Sequence, residues 1–150
     1  MVLNVDEIIS GKGYKLHSGL NEDETQKLKK YVEKKYFKRI ESLSKNHLKK
    51  FLKFGISKYH LNSNLIDHNN AWPRKTRLFD EEGIDILKKT HFFNTLKQTF
   101  KEMKITNEIH NTIPEIVWRL VRPDCDSDVG PLHTDRWFWK INKWAVPKNM

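Results

Sequence analysis

The sequence is short of what disulfide-built or membrane-spanning proteins rely on. It has one cysteine in 150 residues, Cys125, so no internal disulfide can form and a reducing compartment suits it. No apolar run is long enough to cross a bilayer. The opening residues, "MVLNVDEIIS", include acids and lack a basic region leading into an apolar one, so no signal peptide is expected and the cytoplasm is the default compartment. There is no internal repeat and no low-complexity tract. Acidic residues are also in deficit, with 19 Asp and Glu against 28 Lys and Arg, a formal net charge of +9.

Much of the apolar content is aromatic: eight Phe, five Trp and four Tyr within a hydrophobic fraction of 37%. That length and composition suit one domain with a modest core. The positive charge admits a nucleic-acid partner. Its lysines, however, are spread along helical stretches such as "QKLKKYVEKKYFKR", as on a solvated face, and no nucleic-acid-binding signature accompanies them. The expectation is no nucleic acid and no membrane span, with an anionic small molecule still open.

The stretch from Asn21 to Met103 reads mainly as helix. Asn21 is a candidate cap, Glu24 stands at the capping-box position, and acids crowd the first turn. Leu28, Val32, Tyr36, Ile40 and Leu43 then recur at three- and four-residue steps. A second helix is expected over "KNHLKKFLKFGISKYHL", with Leu48, Phe51, Leu52, Gly55, Ile56 and Tyr59 as its stripe. "NSNLIDHNNAWPRKTRLF" reads as a loop. "DEEGIDILKK", capped by Asp80, and "FFNTLKQTFKEM" read as two more helices.

From Glu115 the pattern changes. "EIVWRLVR" alternates Ile116, Trp118 and Leu120 against Val117, Arg119 and Val121, a strand pattern. "PDCDSDVGP" is turn-rich, and "LHTDRWFWKI" reads as a returning strand. Helices first and strands after predict an α+β fold, divided into a helical segment 1–114 and a strand region 115–150.

The chemistry-bearing stretch is "GPLHTDRWFW". On a strand, residues two apart share a face, so His133 and Asp135 project side by side, an imidazole beside a carboxylate. These are two of the three donors of a two-histidine, one-carboxylate iron(II) site. A surface turn is the plainer alternative. Arg119 is a candidate for binding an anion such as a co-substrate carboxylate, or for pairing with Asp124 or Asp126. Trp137 could stack on a substrate, though Trp137, Phe138 and Trp139 also suit an aromatic core. Cys125 has no basic neighbour to activate it. Asp124, Asp126 and Asp128 alternate as in a calcium loop, but the later glutamate is missing.

"VWRLVRPDCDSDVGPLHTDRWFW" resembles the phytanoyl-CoA dioxygenase family of iron(II)/2-oxoglutarate oxygenases, and "DHNNAWPRKTRLF" is similar to the loop before its barrel. The resemblance implies a double-stranded β-helix, or jelly roll, with N-terminal helices packed outside it. It implies Fe(II) as cofactor, 2-oxoglutarate as co-substrate, and oxidative decarboxylation of 2-oxoglutarate to succinate coupled to hydroxylation of a C–H bond in a small-molecule substrate. His133 and Asp135 match the family's first two metal ligands. The family's second histidine and its 2-oxoglutarate-binding arginine lie well downstream, and neither is found before Met150. A jelly roll also needs about eight strands. The expectation is therefore a truncated oxygenase with an incomplete barrel, prone to oligomerise or awaiting a complementing chain. The other histidines all precede the motif; His68, in the resembling loop, is the least poor substitute ligand. The alternatives are a catalytically inactive helical binding module and a basic nucleic-acid-binding protein.

Overall fold

A computed structural model describes residues 10, 19–100, 105 and 115–129 of the chain. Two compact units divide it, Met1–Arg119 and Leu120–Met150. In the first, helices α1 (Glu22–Leu43) and α2 (Lys45–Phe54) are followed by a 3₁₀ segment, Ile56–Leu65. The short helix α3 (His68–Ala71), a 3₁₀ turn at Arg74–Thr76, and helices α4 (Glu81–Lys88) and α5 (His91–Thr99) complete the order.

Local chemistry sets most of these boundaries. The Asn21 side chain accepts from the Glu24 amide and the Glu24 carboxylate accepts from the Asn21 amide, both at 2.9 Å, closing the expected capping box of α1. Glu24 also accepts from the His91 amide, tying the start of α1 to the start of α5. Asp80 caps α4 through Gly83, and Thr90 caps α5 through Phe93. The second expected helix does not run unbroken. Gly55 has φ 67° and ψ 178°, a conformation only glycine adopts readily, so α2 stops at Phe54 and the chain tightens into the 3₁₀ segment.

The core is a cluster of aromatic rings. Tyr36 stacks on Trp72 at 5.4 Å and 9°, and meets Phe51 and Tyr59 edge-on. Trp118 packs against Trp72 at 5.4 Å. Of the stripe expected on α1, Tyr36 and Ile40 are fully buried and Leu43 is exposed, while Tyr31, outside the stripe, is buried. The segment expected to be a loop contributes Ala71 and Trp72 to the core. Its hidden carbonyls are met by arginines. Arg39 Nε donates to Ala71 O at 2.8 Å, and Arg77 Nε to Trp72 O at 2.9 Å.

The expected α+β fold, with the first strands of a jelly roll after Glu115, is not what forms. Among the described residues there is no β-strand and no sheet; the structure is mostly helical. Val117 makes one isolated antiparallel bridge to Leu78. Beside that bridge Trp118 is turned inward and Arg119 outward. Among the described residues this segment pairs with the short stretch around Leu78, so one bridge forms where a ladder would need a longer neighbour. "LHTDRWFWKI" lies outside the described residues.

Candidate functional site

His133, Asp135 and Trp137 lie outside the described residues.

In the first unit, the two stretches that suggested a functional reading are joined. The Phe79 amide donates to Ile116 O at 2.8 Å and the Trp118 amide to Arg77 O at 3.0 Å. Arg77 Nη1 returns to Trp118 O at 3.1 Å, so one guanidinium bridges the carbonyls of Trp72 and Trp118. Burial, then the positive charges of Arg119 and Arg74, lower the pKa of Arg77. An arginine in that position stays charged at neutral pH, so Arg74, Arg77 and Arg119 form a positive neighbourhood. Arg74 is already paired with Glu115 at 2.5 Å. Arg119 is exposed.

His68 opens α3 and is half-buried. Its Nδ1 lies 3.0 Å from Tyr59 Oη, which accepts from Trp72 Nε1 at 3.1 Å. Which of Tyr59 Oη and His68 Nδ1 donates follows the histidine tautomer. The histidine is thus tied to the aromatic core through one ring nitrogen. No group of three or more His, Cys, Asp or Glu side chains suited to a metal ion occurs among the described residues.

The second unit holds an arrangement that sequence reasoning missed. Asp128 Oδ2 accepts from the Arg122 amide and from Arg122 Nε, both at 2.8 Å, while Oδ1 accepts from Arg122 Nη2 at 2.6 Å. This fork closes the "PDCDSD" loop on itself. The Asp128 side chain is only 1% exposed. Asp124 takes a positive φ of 54° at the bend, and the 3₁₀ turn Asp126–Asp128 completes the loop. Asp128 is therefore the partner of Arg122, and Cys125 rests beside it with Sγ 3.6 Å from Oδ1. The Arg-Pro-Asp turn signal marked a bend, but not which of three aspartates would turn inward.

No helix among the described residues is long and apolar enough to cross a membrane. No family model, curated protein or solved structure matches this chain.

Proposed function

We propose that the chain carries part of an iron(II)/2-oxoglutarate oxygenase site of the phytanoyl-CoA dioxygenase type, with His133 and Asp135 as two metal donors. The observation that supports this reading is the pairing of the two stretches that resemble the family. Asp67–Phe79 and the segment beginning at Val117 meet through the Leu78 bridge and the Arg77 guanidinium. Two segments far apart in sequence, each similar to the same family, lie against one another within the first unit.

The donor chemistry fits iron(II) in two of three positions. One imidazole and one carboxylate are the donors such a site uses, and the sequence after Asp135 holds no further histidine. When bound, iron(II) with 2-oxoglutarate supplies the oxidising power for C–H hydroxylation. The chain's own part is positional. The Arg122–Asp128 fork closes the turn that precedes the "GPLHTD" motif in the sequence.

The test is titration with cobalt(II), a spectroscopic stand-in for iron(II), followed by visible absorption. His133→Ala and Asp135→Ala are each expected to weaken binding by about tenfold or more, while Cys125→Ser leaves it unchanged. Equal binding by parent and both donor variants would overturn the assignment. A helical binding module without metal chemistry is the second reading, favoured by the helical packing of the first unit around its aromatic cluster.

A further inference from the structure

The net charge of +9 is unevenly placed. Between Glu41 and Asp67 there is no acidic residue, and there are five lysines: Lys45, Lys49, Lys50, Lys53 and Lys58. All five are exposed. None makes an ion pair among the described residues. Acids gather instead at the start of α1, at Glu22, Asp23 and Glu24, and around α4 at Asp80, Glu81, Glu82 and Asp85. There lysines of α1 do find partners, Lys34 with Glu82 at 2.9 Å and Lys35 with Asp80. The first unit therefore has one region where charge is neutralised and another where it is not.

The uncompensated region also shows apolar side chains to solvent. Leu52 is 51% exposed, Leu61 53% and Phe54 40%. They lie on α2 and the 3₁₀ segment, which pack together on either side of the Gly55 break. Phe51, between Lys50 and Leu52, points into the core, and the Lys53 ammonium sits 5.5 Å above the Phe54 ring.

We propose that α2 and the following 3₁₀ segment form a docking surface for an anionic lipid bilayer, lying in the plane of its headgroups. Charge complementarity selects this occupant. An acid-free set of five lysines faces a negative surface without internal competition. Leu52 and Leu61 enter the boundary between headgroups and acyl chains, and lysine stems lie along it with their ammonium groups at the phosphates. A nucleic-acid backbone would engage the lysines and leave those aliphatic groups wet. This inference is independent of iron and of the oxygenase reading.

Co-sedimentation with vesicles tests it, using phosphatidylcholine alone and phosphatidylcholine mixed with phosphatidylserine. The full chain is expected to pellet with the mixed vesicles only, and less as salt rises. Each lysine changed to glutamine among Lys49, Lys50 and Lys53 should weaken binding roughly fivefold, while changes to arginine preserve it. Leu52→Ser with Leu61→Ser should also release the protein. Both side chains are exposed, so far-UV circular dichroism should stay at the parent value. Failure to pellet with phosphatidylserine vesicles would overturn the proposal. So would loss of binding in the lysine variants but not in the leucine variant, with competition by single-stranded RNA, which would mark a general polyanion site.

Discussion

A buried hydroxyl without a partner is a cost that its ring must outweigh, and Tyr36 is such a case. The side chain is fully buried among Phe37, Phe51, Tyr59 and Trp72, yet its Oη has no hydrogen-bond partner among the described residues. Burial accordingly pushes its pKa upward. Tyr36→Phe keeps the ring and removes the stranded oxygen, so it should leave stability unchanged or raise it by about 1 kcal/mol in urea unfolding. Asp128 predicts the opposite sign. Asp128→Ala removes the acceptor of three Arg122 hydrogen bonds. Local opening of the turn should become easier by about 3 kcal/mol, measured as faster hydrogen exchange at the Arg122 amide. Neither residue stood out in the sequence for these reasons. Asn21, Glu24 and Asp80 did, because a cap is decided within four residues. The partner of Arg122, like the carbonyls served by Arg39 and Arg77, is decided only when the chain has folded back.

Between elements, α1 and α4 meet at a place where the usual helix rule reverses. Gly83 lies inside α4, where alanine would normally stabilise by about 1 kcal/mol. A Cβ there would stand 2.5 Å from Cζ of the Tyr31 ring. Gly83→Ala should therefore destabilise the protein in thermal unfolding. In a Tyr31→Ala background the same change should be neutral or favourable, and a double-mutant cycle measures the coupling. Asp80 joins the same two helices. Its bond from Lys35, with those from Tyr31 Oη and the Gly83 amide, holds its carboxyl at about 2 against the opposing effect of burial. The folded-state value lies below the ordinary 3.8, so the stabilisation is complete above about pH 4 and lost as pH falls towards 2. The side chain is 48% exposed, so screening keeps the effect below about 1 kcal/mol. Asp80→Asn should flatten the loss of helicity over that interval when ellipticity is followed against pH.

At the scale of the whole molecule, the helices were legible, and the strand expected over "EIVWRLVR" does not form among the described residues. Periodicity and caps are properties of one segment, and they located α1, α4 and α5. A strand is a property of two segments, and "EIVWRLVR" shows only its own half. Val117 found one bridge to Leu78, and Trp118 spends its apolar surface on Trp72 within a helical core. The family likeness carried with it a jelly roll that the described residues do not form.

That single bridge also sets an order of events. The contacts of α1 with α2, and of α2 with its 3₁₀ segment, close short loops. The bond from the Trp118 amide to Arg77 O waits on a residue synthesised after every other member of the aromatic cluster. A nascent chain leaving the ribosome can assemble Tyr36, Phe51, Tyr59 and Trp72 before Trp118 has been synthesised. The segment around Trp118 then arrives at a surface already built to receive it.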